Sequence, residues 1–511
     1  MAKVIKKQNL QRKSPQKLPH IFWILTDGTR YKKGEDKYGR PPVYYEFDKE
    51  SIYFKKVITT APSTLMSVSS MLTGRFSAEL YPHFKYINKL GLVYPNYIQE
   101  LKKKGYAVNS SIFCSGAGRL LFKDLLGSTG KESPADVKSG MDGWTEFEKI
   151  MKEKFDWNKP NIVFIHLGWF WDNNEAVIEI FDYLKKNDLW NESFVITCSD
   201  HGYVDYGKFK YLGWALQPRT HSLYLDENSY RANLNIKTPK SFSRIKQKDI
   251  GTPVNLVDIW ETIFDYLGLK YNCENKKALS LRGLIEKEDP ELKNQFKKRI
   301  TRVDNRYAFQ NYRATRLIND SETYLITSSE EVDKLPDNFK IAYKQMEKEE
   351  LQTSLELVDK KYVKSELSKL KGKRIAIYYY NHKEFISHIY NNLKKKNVVS
   401  ILDLKSIKSD YRYYDVMIAF VDNPYFEMYH SLVKFCRNKN IDLELYDNYF
   451  DKVEYSRYRY MKETYNDPGM KSDHHKIVKF GLYFILLYLK LEETRQLKYI
   501  KDNYHPVVKN I

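Results

Sequence analysis

Four largely apolar runs punctuate the first two hundred residues: His20–Asp27 (HIFWILTD), Ala107–Phe113 (AVNSSIF), Asn161–Leu167 (NIVFIHL) and Ser193–Asp200 (SFVITCSD). A strand buried on both faces has this pattern, because neither of its alternating sets of side chains meets water. Between the runs the apolar positions change to helical spacing, after Pro62, along Asn96–Gly105 and along Asn174–Asn187. Strands alternating with helices predict a parallel sheet covered on both sides. Val254–Gly268 reads as a further amphipathic helix, closed by a C-terminal glycine.

Past residue 330 the pattern changes. Residues 331–372 are dense in charge and read as an exposed helical connection. RIAIYYY (Arg374–Tyr380), VVSILDL (Val398–Leu404), DVMIAFVD (Asp415–Asp422) and IDLELYD (Ile441–Asp447) then predict a small doubly wound, Rossmann- or flavodoxin-like domain over 373–450. No G-x-G-x-x-G follows its first strand, so a dinucleotide site is not supported. Residues 451–511 are expected to be helical, residues 1–17 to be a flexible basic tail, and 18–330 to form the larger domain.

Composition refines this division. A chain of 511 residues exceeds one compact core, and 42% hydrophobic content excludes wholesale disorder. The formal charge of +20 creates a field that attracts phosphate, sulfate, nucleic acid or an anionic membrane surface. No nucleic-acid-binding motif accompanies it, so no specific nucleic-acid partner is expected. Cys114, Cys198, Cys273 and Cys436 are far apart with no C-x-x-C pair, which reads as buried free thiols of a reducing compartment. The first nineteen residues contain no apolar core of a secretory signal. The late apolar run Gly481–Leu491 is too short to span a bilayer, and it suits a buried helix or a peripheral membrane contact. A cytoplasmic protein is the expectation. His474 and His475 are sequence neighbours that diverge on a helix, so they are not read as ligands.

Two of the buried runs end in acid, Asp27 in TDGTR and Asp200 in SDHG. Either Asp alone can be a turn residue. Two such ends with His201 beside the second suit a metal centre, since Asp and His supply the oxygen and nitrogen ligands of Zn²⁺, Mn²⁺ and similar ions. In open parallel sheets ligands bind beyond these carboxyl ends. Within Thr60–Arg75 (TAPSTLMSVSSMLTGR), Pro62 and Ser63 start a helix and place Thr64 in its first turn. A hydroxyl there, beside a metal, can attack an anionic ester. Ser63 or Thr64 acting as a plain N-cap explains the same residues.

The order TDGTR, APSTLMSVSSMLTGR, SDHG, THSLYLDE resembles the sulfatase-like branch of the alkaline phosphatase superfamily, as do ELKKKGYAV, LKKNDLWNESFVITCSDHG and VNLVDIWETIFDYLG. The resemblance spans about residues 18–270 and implies an α/β fold, an alkaline-phosphatase-like three-layer α/β/α catalytic domain. It implies Asp27 as the first metal carboxylate, Arg30 as the basic residue after it, and Asp200 with His201 as the second ligand pair. Thr64, nine residues before Thr73, falls where the family places its nucleophile. His221 matches a later histidine that binds metal or substrate, with Ser222 where a Gly is usual. His166, at the end of a strand, can touch the substrate or be packed.

Two departures qualify the likeness. The modified Cys or Ser of true sulfatases lies in C/S-x-P-x-R, whereas Thr64 is followed by Leu-Met-Ser and cannot become that aldehyde. Relatives with Thr transfer phosphoethanolamine or glycerol phosphate through a phospho-threonine. No Asp-x-x-x-His lies between Thr64 and Asp200. The expectation is therefore one divalent ion (Zn, Mn, Mg or Ca) on Asp27, Thr64, Asp200 and His201, with a second allowed at His221. The expected enzyme is a hydrolase or transferase of anionic phosphate (or sulfate) esters. Thr64 attacks, and His221 or His166 protonates the leaving group. The alternatives are a sulfuric ester hydrolase without formylglycine and a non-catalytic binding or assembly protein on the same fold. The C-terminal domain suits an acceptor, a partner or a second copy in a homo-oligomer.

Overall fold

The computed structural model describes residues 18–31, 39–80, 95–112, 126, 140–168, 173–203, 225, 227–242, 244–245, 248–273, 276–304, 315–326, 329–358, 369–379, 383–402, 414–421, 436 and 438–447. The basic tail, the helical segment expected over 451–511, Cys114 and His221 lie outside them, and so do 169–172 and 359–368.

Ten strands build the first part of the chain: β1 (His20–Thr26), β2 (Ile52–Phe54), β3 (Val57–Ile58), β4 (Ala107–Ile112), β5 (Asn161–Leu167), β6 (Ser193–Ser199), β7 (Arg231–Ala232), β8 (Leu234–Lys237), β9 (Asp249–Ile250) and β10 (Val254–Asn255). The four predicted runs become β1, β4, β5 and β6, paired in parallel as β4-β5-β1-β6. The sheet continues to seven strands through β8, β2 and β9, with β8 antiparallel to both β6 and β2.

Side-chain alternation along β1 builds two cores, one on each face. Ile21, Trp23 and Leu25 enter one, and Phe22 and Ile24 the other. Eight of the described helices are, in chain order, α1 (Val43–Phe47), α2 (Thr64–Thr73), α3 (Ser77–Leu80), α4 (Tyr97–Lys103), α5 (Met141–Glu153), α6 (Asn173–Lys186), α7 (Asp258–Tyr266) and α8 (Asp337–Val358). Helices α2, α4 and α7 fill the first core, where Trp23 and Trp260 meet edge to face at 5.2 Å. Helices α1, α5 and α6 fill the second. The result is the three-layer α/β/α arrangement. Cys198, Cys273 and Cys436 are free thiols, and burial pushes that of Cys198 up to about 12.

The helix read over Val254–Gly268 begins later, at Asp258. Val254 and Asn255 pair instead with Val57 and Ile58, on the side of β3 opposite β7, in a separate sheet ordered β10-β3-β7. The antiparallel sheet of β11 (Thr301–Asp304), β12 (Thr315–Ile318) and β13 (Thr323–Ile326) had no counterpart in the pattern reading. Farther on, β14 (Arg374–Tyr379), β15 (Val398–Leu402), β16 (Val416–Val421) and β17 (Asp442–Asp447) form the predicted small sheet, all parallel in the doubly wound order β15-β14-β16-β17. Among the described residues no helix is long and apolar enough to cross a membrane.

Helix α8, within the charged stretch read as an exposed connection, packs on the core. Phe339 is fully buried, Lys277 pairs with Glu349, and Arg302 reaches Glu347 and Glu350. Burial pushes the carboxyl of Glu79 in this cluster up to about 7, against the pull of Lys277 and Arg75. A raised acid favours the protonated folded state, so its contribution to stability is present below the ordinary value of 4.5 and is lost as pH rises through about 7. Glu79→Gln, uncharged throughout, is expected to flatten the fall of the thermal midpoint between about pH 5 and 8. A decline as steep as the wild type's would assign that titration elsewhere.

Candidate metal centre

Strand β1 lies between β5 and β6 in a register that sets Leu25 against both His166 and Cys198. Asp27 follows the last residue of β1 and donates its backbone N–H to Leu167 O at 2.9 Å. Asp200 follows the last residue of β6, with His201 next. The carboxyl ends of three adjacent strands thus present Asp27, His166, Asp200 and His201 to one place, where open α/β sheets bind ligands.

The distances are short. Asp27 Oδ2 is 3.6 Å from His166 Nε2, Asp27 Oδ1 is 3.7 Å from His201 Nε2, and Asp200 Oδ2 is 3.3 Å from His201 Nε2. Ligand atoms of Asp27, His166 and Asp200 all lie within 4.8 Å of one another, as a shared cation requires. Thr64 opens α2 and brings its Oγ1 to 3.4 Å from both Asp27 Oδ2 and His201 Nε2. Ser63 is an extended N-cap without a side-chain capping bond, so these hydroxyls are not spent on capping the helix. One turn on, Ser67 Oγ donates to Asp200 O at 2.6 Å and accepts from Thr59 Oγ1 at 2.8 Å, fastening α2 to the end of β6.

The surroundings suit a divalent ion. Asp200 Oδ1 accepts from the backbone N–H of Gly28 (3.1 Å) and of His201 (3.0 Å), while the buried Oδ2 has no hydrogen-bond partner among the described residues. His201 Nδ1 lies 2.7 Å from Gly202 O and donates its proton there, which turns Nε2 towards Asp27, Asp200 and Thr64. Metal-binding histidines are typically anchored in this way. Burial acts to raise both acids. The imidazoles of His201 and His166 nevertheless hold Asp200 below its ordinary value. Asp27, partly desolvated beside the ionised Asp200, is pushed up to about 7. Two acids this close call for positive charge, which a divalent cation would supply.

Two glycines make the geometry possible. Gly28 has φ of 59°, a left-handed turn that aims its N–H at Asp200. A Cβ on Gly202 would lie 1.8 Å from Asn228 O, so the turn after His201 admits no side chain.

Four of the predicted ligands, Asp27, Thr64, Asp200 and His201, therefore come together. His166 joins the carboxylates directly. Arg30 is buried and donates from Nε to Tyr203 O at 3.0 Å, against the loop after Asp200. His221 falls outside the described residues. Gly28, Ser67 and Gly202 escaped the sequence reading, although the SDHG and TDG strings contain two of them.

No family model matches the chain, and no curated protein matches it. Solved structures similar to it include the lipoteichoic acid synthase LtaP from Listeria monocytogenes, with 13% identity and a TM-score of 0.46 over 66% of this chain and 92% of that one. A protein of the alkaline phosphatase superfamily from Vibrio parahaemolyticus is similar at 14% identity and a TM-score of 0.43 over 61% of this chain and 78% of that one. The phosphonate monoester hydrolase SpPMH from Silicibacter pomeroyi is similar at 11% identity and a TM-score of 0.44 over 66% and 96%, respectively.

Proposed function

We propose that the chain is a metal-dependent hydrolase or transferase of phosphate (or sulfate) esters with Thr64 as its nucleophile. The observation that supports this most is the 3.4 Å approach of Thr64 Oγ1 to both Asp27 and His201. Asp27, Asp200, His201 and His166 would hold a divalent ion (Zn, Mn, Mg or Ca), whose charge attracts an anionic ester and eases loss of the Thr64 proton.

The chain's own groups do the rest. We assign the Thr64 proton to Asp27 Oδ2, to which Thr64 Oγ1 donates at 3.4 Å, while His201 Nε2, oriented by the Nδ1 bond to Gly202, is kept for the ion. Thr64 Oγ then bonds to the phosphorus (or sulfur) as the bond to the alcohol oxygen breaks, leaving the group esterified on Thr64. Water or an acceptor hydroxyl displaces Thr64 in turn. The N-terminal end of α2 favours the anion through its dipole. We assign protonation of the leaving alcohol to His221, since His166, the other candidate, would be spent on the ion, and keep Arg30 as the basic residue that the family resemblance implies after Asp27. We further propose residues 18–330 as the catalytic domain and 373–450 as a separate one. The four strands of the latter pair only with each other among the described residues.

Elemental analysis and a pair of aryl esters test the reading. The purified protein should hold about one divalent ion per chain and cleave p-nitrophenyl phosphate faster than p-nitrophenyl sulfate. Faster sulfate turnover would reverse the substrate assignment. Protein with neither ion nor turnover in Zn²⁺, Mn²⁺, Mg²⁺ or Ca²⁺ would leave a non-catalytic binding role instead.

A further inference from the structure

Asp27 and Asp200 each lie one residue beyond their strand, past the last β1–β6 pairing at Thr26 and Ser199. Their separation therefore depends on what joins the two loops. Gly28 N–H makes one direct bridge to Asp200. A second bridge runs through Asn233, the residue between β7 and β8.

The backbone of Asn233 brackets Ser199, donating from N to Ser199 Oγ at 2.8 Å and accepting from Ser199 N at 3.2 Å. Its side chain reaches the other loop, where Nδ2 donates to the carbonyls of Arg30 (2.6 Å) and Thr29 (3.3 Å). One buried residue thus grips the chain just before Asp200 and just after Asp27. The chemistry needs an amide on a short stem, because one nitrogen must offer two protons to two successive carbonyls. Asp in its place would face both carbonyls with an acceptor, and Ala would leave them without this donor.

We propose that Asn233 is a positioning residue that sets the spacing of the two carboxylates, and hence the affinity of the site for a divalent ion. The inference rests on the metal reading of the site. A control lies two residues along. Asn235 is equally buried and donates to Asp48 Oδ1 and Ser51 Oγ at 2.7 and 2.9 Å, away from the two strand ends. Its loss should disturb folding without touching the metal loops.

The experiment is calorimetric titration of Mn²⁺ into chelator-stripped full-length protein, with thermal midpoints recorded alongside. Asn233→Ala should weaken Mn²⁺ binding by about 10- to 100-fold, the usual effect of losing a group that orients ligands. Asn235→Ala should lower the midpoint by a comparable amount and keep affinity within about twofold of wild type. If Asn233→Ala does not fold, Asn233→Asp, which keeps the volume and removes the donor, carries the same expectation. Wild-type affinity in a folded Asn233 variant, or equal losses in the two alanine variants, would overturn the inference and leave the metal reading intact. A wild-type chain that binds no divalent ion would overturn both.

Discussion

Thr64→Ala should lower kcat on an aryl phosphate by at least about 10⁴-fold, as removal of a nucleophile does in other covalent mechanisms. The folded state should hardly change. Thr64 sits half-buried at the first position of α2, and its hydroxyl contacts at 3.4 Å are long for O–H donors. Alanine is also the better helix former. The thermal midpoint is thus expected to stay within about 3 °C of wild type, and bound ion should be retained through Asp27, Asp200, His201 and His166. Thr64→Ser, which keeps the hydroxyl, should recover measurable turnover. Steady-state kinetics with differential scanning calorimetry on the three proteins decides the matter. Undiminished kcat in the alanine variant would remove Thr64 from the chemistry.

Arg302→Met should destabilise the fold by about 3–5 kcal/mol. Arg302 is almost wholly buried, with Nε 2.9 Å from Asp304 Oδ2 and Nη2 at 2.8 and 3.2 Å from Glu347 and Glu350. Methionine fills comparable space but takes the guanidinium away from the buried Asp304 carboxylate, which then keeps its neutral donor Thr315 Oγ1 and loses its opposing charge. It also cuts the tie between β11 and α8. Urea unfolding would report the change. A loss below about 1 kcal/mol would mean that the buried ion pairs contribute no more than surface ones.

The sequence told most about groups whose position follows from the chain alone. Asp27 and Asp200 stood out because each ends a run buried on both faces, and such runs become central parallel strands. Thr64 was legible from the proline and serine before it and the helical spacing after it. His166 was ambiguous for a definite reason. Its proximity to Asp27 depends on β5 lying beside β1, and strand order is not written in local periodicity. Asn233 was hidden more deeply, since its role arises from an antiparallel return of two- and four-residue strands whose alternation of Ala232, Leu234 and Ile236 is too short to be decisive. The missed β11–β13 sheet consists likewise of four-residue strands, shorter than any window in which alternation is secure.

The three strands that hold the acids and imidazoles are the inner rungs of the largest sheet, bonded on both sides or flanked by further strands. In native-state opening such rungs separate only when the whole domain does. Traffic of small solutes into the site cannot then rely on breathing of the framework. The way in is the rim at Asp27, whose side chain retains 19% exposure while those of Asp200 and His201 keep 1% or less. The first acid is therefore the gatepost, and the inner pair meets whatever has already passed it.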